Sequence, residues 1–386
     1  MYIRLNNYLI ANNIIDTTIQ KGGVSGLGYS LFEQYYKVKN TIKLANSDKQ
    51  PCCIVFLDIT NAFGSLDLGN LMQILEFYNV SSQFINYIKT YYDNLCFYTN
   101  LNDNNNNDNN NGSTLVKWSN GILQGCSLSP LLFVTAMNLI LSAINKKYLK
   151  SHGFAINKDT NILLTAYIDD IALICKDTKS CLEVYKDLKK QLESIGLFVN
   201  LSKTNVMTIN DNTPLTDEFE KIKHVKSFTY LGETVSSDGK TNESINQILS
   251  TLSNRLHMAE QSSNKNQYRI NYYKKRIVPW IQRKTLATYD MTNNDRMKII
   301  SMIKGKLDQW GDTENSSAIF SLVGNVINDS KDDIVQLLKV LDVNIDKDLE
   351  DNTTLSNFIM YDPNIKLSYN DIHVNDDLID NYMAEM

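Results

Sequence analysis

One fifteen-residue stretch constrains this chain more than any other. "NILLTAYIDDIALIC", residues 161–175, is mostly apolar but carries two adjacent charges, Asp169 and Asp170, near its middle. The runs on either side read as buried strands, which places the two aspartates at the tip of a tight hairpin. Burying an unpaired carboxylate costs several kcal/mol, and two side by side also repel one another. Two readings follow. In the first, Asp-Asp is simply a turn on the surface. In the second, it is a cation site that needs both charges.

The neighbouring elements bear on that choice. "PCCIVFLDIT" (51–60) reads as a buried strand with a single charge, Asp58, near its end. Helical spacing follows over Leu66–Tyr78, and Ser81 or Ser82 caps a further helix reaching about Tyr92. "SPLLFVTAMNLILSAINKKY" (129–148) opens with Ser-Pro and continues as a buried helix. Leu182, Tyr185, Leu188, Leu192 and Ile195 mark an amphipathic helix stopped by Gly196, and "LFVN" reads as the strand after it. The order gives an α+β fold with an antiparallel sheet and helices packed on one face. Such a sheet can bring Asp58 beside the 169–170 turn. Three converging carboxylates call for divalent cations. Mg²⁺ takes hard oxygen ligands, commonly one or two carboxylates plus substrate phosphates. Two such ions about 3.5–4 Å apart serve phosphoryl transfer.

Charge is partitioned along the 386 residues, a length that allows two or three domains. Residues 252–311 hold twelve Lys and Arg against four acidic residues; 312–386 hold four against sixteen. The basic block interleaves aromatics, "QYRINYYKKRIVPWIQRK", a combination suited to phosphate backbones and stacked bases. The acidic end reads as a separate or poorly ordered extension. "LNDNNNNDNNNGS" (101–113) has too little apolar surface to order itself and reads as an expanded surface loop. No run reaches about 18 apolar residues and the first residues are too polar for a signal peptide, so neither a membrane span nor secretion is expected. Six cysteines without a CxxC pair point to a reducing intracellular compartment, nuclear or cytoplasmic. The four histidines are scattered, which argues against zinc.

Five segments in order, "FLDITNAFGSLD" (56–67), "GILQGCSLSPLLF" (121–133), "AYIDD" (166–170), "GLFVNLSKT" (196–204) and "FTYLG" (228–232), resemble the successive palm motifs of reverse transcriptases. The resemblance is greatest to the polymerase of non-long-terminal-repeat (LINE-like) retrotransposons, and it covers roughly 10–311. "QKGGVSGLGYS" (20–30) resembles, loosely, a fingers motif of the same family. The resemblance implies a right-hand polymerase fold: partial fingers (1–50), palm (51–240), a basic helical thumb (241–311) and an acidic extension (312–386). It implies two Mg²⁺, with Mn²⁺ as a substitute, held by Asp58, Asp169 and, more weakly, Asp170. It implies that Lys203 protonates or neutralises the leaving pyrophosphate. Ile59, Phe63, Gln124 and Gly125 would shape the nucleotide pocket, with Phe63 as a gate against the sugar 2′-OH. Tyr230, Leu231 and Gly232 would form the primer grip. The expected partners are an RNA template, a DNA primer and dNTPs. The basic block would hold the hybrid through Arg269, Lys274, Lys275, Arg276, Arg283 and Lys284.

The chain also departs from the family. The upstream strands that carry triphosphate-binding cations look absent or reduced to "YIRLNN". Arg4 is the sole arginine before Arg255, leaving Lys21, Lys37 and Lys39 as the basic candidates near the fingers motif. A fragment, a degenerate copy or a domesticated protein would each fit. Two alternatives to a reverse transcriptase stay open: a non-catalytic nucleic-acid-binding remnant, and an RNA-dependent RNA polymerase. Phe63 and the Tyr-x-Asp-Asp hairpin disfavour the second.

Overall fold

The computed structural model describes residues 1–25, 30–100, 113–262, 265–288 and 290–312. Nearly all of the Asn-rich insertion, and the acidic extension beyond Asp312, lie outside the described residues. Two helices come first, α1 (Tyr2–Ala11) and α2 (Ser30–Ser47), then strand β1 (Cys52–Leu57). Helices α3 (Ala62–Ser65), α4 (Leu68–Phe77) and α5 (Ser82–Asp93) lead to the paired strands β2 (Cys96–Asn100) and β3 (Ser113–Lys117). The long α6 (Ser129–His152) is followed by the short pair β4 (Phe154–Ala155) and β5 (Asn161–Ile162). Next come β6 (Leu164–Tyr167), β7 (Asp170–Cys175), α7 (Thr178–Ser194), β8 (Asn205–Ile209), β9 (Lys223–His224) and the hairpin β10 (Ser227–Tyr230)–β11 (Glu233–Ser236). Helices α8 (Asn242–Ser262), α9 (Asn266–Tyr272), α10 (Val278–Ala287) and α11 (Asn293–Gln309) complete the described chain.

The main sheet has the order β6-β7-β1-β8-β9. Its pairings are antiparallel except for the short parallel contact of β8 with β9. Sequence reasoning expected helices on one face; the structure covers both. Cys53, Val55 and Leu57 of β1 point into a core shared with α4, α5, α6 and α7. Cys52, Ile54 and Phe56 point into a second core with Tyr35, Val38 and Ile42 of α2 and with Tyr230, Leu231 and Val235 around the β10–β11 turn. All six β1 residues are therefore buried, and the strand shows no polar alternation. Helix α6 is long and apolar enough by composition to cross a membrane (mean hydropathy 1.2), but 78% of that window is buried inside the fold.

Two segments differ from expectation. "YIRLNN" belongs to helix α1, not a strand: Leu5 and Leu9, one turn apart, bury against the first core. "LFVN" contributes only an isolated bridge, Val199 to Ile59. Asn200 then turns the chain, its side chain accepting from the Ser202 N–H at 3.2 Å and its carbonyl from the Thr204 N–H at 2.9 Å. The strand proper starts at Asn205.

Helices α8 to α11 close on a third core built from Leu252, Leu256, Ile277, Ile281, Ile299 and Ile303, among others. Between α9 and α10 the backbone widens into a π turn, Tyr273–Ile277. Pro279 explains it: the ring has no N–H and would clash with the carbonyl four residues back, and a wider turn relieves the conflict.

Candidate active site

Strand β1 ends at Leu57, paired with Ile171 of β7. The next residues in that register are Asp58 and Asp170. On the other flank the last rung of β1 with β8 is Phe56–Asn205; beyond it Ile59 bridges Val199, and Lys203 lies in the turn between. The loop after β1 is fixed by backbone bonds: the Asp58 N–H donates to Thr204 Oγ1 at 3.2 Å, and the Asn200 N–H donates to the Asp58 carbonyl at 2.8 Å. Lys203 is exposed on this same turn. β6 and β7 join through the two-residue turn Ile168–Asp169, with Tyr167 opposite Asp170. Ile168 lies at φ 59, left-handed backbone that a β-branched residue rarely adopts.

Asp169 and Asp170 both sense their acidic neighbours. Burial, then Asp169, then Asp58 push the Asp170 carboxyl up to about 6. Asp169 is also raised, mainly by burial and further by Asp58. Such shifts mark carboxylates that disfavour ionising together. Among the described residues no three His, Cys, Asp or Glu side chains close into a metal cage by themselves. That donor set fits Mg²⁺, which keeps waters and takes remaining ligands from phosphates, rather than a structural cation enclosed by protein.

The pocket residues fall as follows. Phe63 is half-buried and stacks on Phe133 of α6, ring centroids 5.1 Å apart and planes within 6°. Its carbonyl accepts the Ile122 N–H at 2.7 Å, tying α3 to the loop before α6. Gln124 and Gly125 are exposed on that loop, and Gly125 (φ 88) has open space where a side chain would be. Ile59 is 6% exposed and packs in the first core, so only its backbone is available to a nucleotide.

Tyr230 pairs with Glu233 across Leu231 (φ 52) and Gly232 (φ 81), a turn whose two left-handed residues match the strand twist. Tyr230 is buried against Phe56, and burial raises its phenol. Arg283 donates to the Leu231 carbonyl at 3.1 Å, and Lys284 to the Gly232 carbonyl. Both also pair with Glu233, whose side chain is buried. These two cations brace the hairpin. Lys274, Lys275 and Arg276 stand exposed on the π turn between buried Tyr273 and Ile277. Arg269 donates to Asn266 Oδ1 at 3.3 Å and to the Glu260 carbonyl. Trp280 lies under the Arg255 guanidinium, 4.8 Å from ring centroid to charge.

The basic candidates of the front segment are engaged. Lys21 and Lys37 pair with Glu33, and Lys37 also donates to the Thr18 carbonyl at 2.7 Å. Lys39, lowered to about 8 by burial, pairs with Asp290 at 2.6 Å and reaches the Ala287 carbonyl. Sequence reasoning missed two buried glutamines nearby. Gln20 bonds the backbone of Ile168. Gln34 donates to the Ile19 carbonyl at 3.1 Å and accepts from the Thr165 hydroxyl.

Carboxylates at two adjacent strand ends of an antiparallel sheet, with a buried helix behind, are the arrangement of the right-hand polymerases. Residues 5–235 match the family described as "Reverse transcriptase (RNA-dependent DNA polymerase)", and the chain belongs to that family. It is 26% identical over 165 residues to the "Transposon TX1 uncharacterized 149 kDa protein" of Xenopus laevis, an alignment spanning 41% of this chain and 12% of that protein. The chain thus matches only a small part of its relative's length. It is similar to apo telomerase from Candida tropicalis truncated from its C-terminal domain: 15% identity, TM-score 0.43, covering 61% of this chain and 42% of that one. It is also similar to telomerase from Candida albicans in complex with a TWJ fragment of telomeric RNA: 14% identity, TM-score 0.40, covering 89% and 56%.

Proposed function

We propose that this chain is an RNA-directed DNA polymerase that extends a primer 3′-OH with dNTPs on an RNA template. The observation that carries this reading is the Leu57–Ile171 rung, which sets Asp58 beside Asp170 at the ends of two adjacent strands, with Asp169 at the turn next to them. Asp58 and Asp169 would hold Mg²⁺, with Asp170 in support; bound there, the metal supplies charge neutralisation for the triphosphate and acidity for the primer hydroxyl. The protein's own residues do the rest by placement. Asp58 and Asp169 would offer their carboxylate oxygens to that metal. Exposed Lys203 offers a cation, and a proton, to departing pyrophosphate. Phe63, fixed by Phe133, presents a flat wall where the sugar would lie. The Tyr230–Glu233 hairpin holds the primer end, and the π turn reaches the hybrid backbone. Catalysis of this kind is chiefly positioning and electrostatic stabilisation.

The test is primer extension on an RNA template with Mg²⁺ and dNTPs, with Asp58→Asn and Asp169→Asn as controls. Extension by the wild type and none by either variant supports the reading. The engagement of Lys21, Lys37 and Lys39 in ion pairs favours a second reading, a nucleic-acid-binding remnant that cannot hold a triphosphate. Tight hybrid binding with no extension at any dNTP concentration would select it.

A further inference from the structure

The turn that presents Asp169 is strained, and the structure shows what holds it. Ile168 sits at φ 59 although its β-branched side chain disfavours that region. Such a conformation persists only where the surroundings over-determine it. Gln20 is fully buried and grips this residue on both sides. Its Nε2 donates to the Ile168 carbonyl at 2.9 Å, and its Oε1 accepts the Ile168 N–H at 2.8 Å. The same Oε1 accepts the Gly22 N–H at 2.9 Å. A flipped amide would set its NH₂ against two N–H donors, so the pattern fixes one orientation. Gly22 leaves no room for error: a Cβ there would overlap the Ile168 backbone nitrogen.

The segment is itself anchored. Gln20 bridges Ala166 in parallel fashion; the Ala166 N–H donates to the Ile19 carbonyl at 2.8 Å and the Lys21 N–H to the Ala166 carbonyl at 3.2 Å. Gln34 of α2 secures the Ile19 carbonyl from behind. Residues 19–22 thus form a short added strand along β6, with the Gln20 amide closing over the turn.

We propose that Gln20 is a positioning residue for the Asp169 carboxylate: its amide clamps Ile168 in the left-handed conformation that aims the following residue at the metal site. This rests on the polymerase reading for its catalytic meaning, but not for the clamp itself. Without the amide, Ile168 is free to relax toward an extended conformation, which turns the Asp169 side chain away from Asp58.

The test compares the full chain as wild type, Gln20→Ala, Gly22→Ala and Gln20→Ala/Ile168→Gly. Melting temperature confirms folding in each. Displacement by about 1 Å costs on the order of 100-fold in rate, so Gln20→Ala is expected to lower kcat for primer extension by 10- to 100-fold. KM for dNTP and hybrid affinity should stay within about twofold, and half-maximal activity should need more Mg²⁺. Gly22→Ala should act in the same direction. Glycine takes φ 59 without strain, so the double variant should recover most of the loss. An unchanged kcat in Gln20→Ala, or no recovery in the double variant, overturns the proposal. Two readouts do not need activity: amide exchange of residues 167–170, and Mn²⁺ binding followed by paramagnetic resonance with Asp169→Asn as reference. Both should loosen in Gln20→Ala. If the wild type extends no primer, the polymerase reading fails, and these two measurements decide the clamp: wild-type exchange and wild-type Mn²⁺ binding in Gln20→Ala would refute it.

Discussion

Asp58 and Asp170 stand one residue beyond the last paired rung of two neighbouring antiparallel strands, Leu57 and Ile171. The two carboxylates are held at one sheet end by the same ladder that buries the residues behind them. Their separation is set by the rung behind them together with the bonds of Asp58 to Thr204 and Asn200, which is how a rigid scaffold keeps like charges together.

Removing either principal carboxylate should abolish extension while leaving the fold and hybrid affinity intact. Asp58→Asn and Asp169→Asn should each lower kcat below detection, with hybrid Kd changed by less than about twofold. Asp170→Asn should retain measurable activity, since Asp170 is assigned only a supporting place at the metal. A variant of Asp58 at full activity would sink the metal-site assignment.

The Asp170 carboxyl, raised to about 6, makes stability pH-dependent with a definite sign. In the unfolded chain it ionises near 3.8. Between those values the folded protein holds a proton that the unfolded chain has released, so stability from this group falls as pH rises from about 4 to 6 and levels off above. Asp170→Asn removes that contribution. In chelator, the variant's melting temperature should gain on the wild type across this window and keep the gain at pH 7. A gap constant from pH 4 to 7 would show that burial and its two neighbours do not govern the group.

Phe63→Ala should raise incorporation of rNTP relative to dNTP, measured by competition on one template. The stacked pair with Phe133 contributes about 0.5–1.5 kcal/mol beyond its buried area, so the variant should also melt a few degrees lower. Lower stability with an unchanged rNTP/dNTP ratio would make Phe63 a packing residue only.

Hybrid affinity should fall steeply with salt. Each phosphate contact removed should flatten the log–log slope by about 0.9, the value for B-DNA. Lys274, Lys275 and Arg276 stand exposed on the π turn, so the triple alanine variant should lose much of the slope. Arg283→Ala and Lys284→Ala should mainly lower extension, because those side chains brace the Leu231–Gly232 turn. Deleting 313–386, which carries the acidic excess, should leave affinity unchanged or raise it at low salt. A full slope in the triple variant would place the nucleic acid elsewhere.

The fold and the candidate site were legible to different depths. Asp58, Asp169 and Asp170 stood out because charge inside an apolar run is rare and needs a reason. The hairpin and α6 were clear from the same contrast. Gln20 and Gln34 were not: a buried amide and a surface amide are identical letters, and only the position of Ile168 and Thr165 opposite them shows the difference. Lys39 was similarly ambiguous, since its partner Asp290 lies some 250 residues away; Lys37 and Glu33, four residues apart on α2, form a pair that helical spacing alone could have shown. "LFVN" has a strand's composition, but Asn200 bends the chain before a second rung can form.

The two-sided burial of β1 has a consequence for how the strand finds its place. Its odd and even side chains are equally apolar, so a slip by one residue exchanges one greasy set for another and exposes nothing polar within the strand. Hydrophobicity therefore cannot fix its alignment. Asp58 can, because a slip in one direction would draw its carboxylate between the two cores. The residue at the centre of the proposed chemistry would thus also act as a stop that sets the strand's alignment during folding.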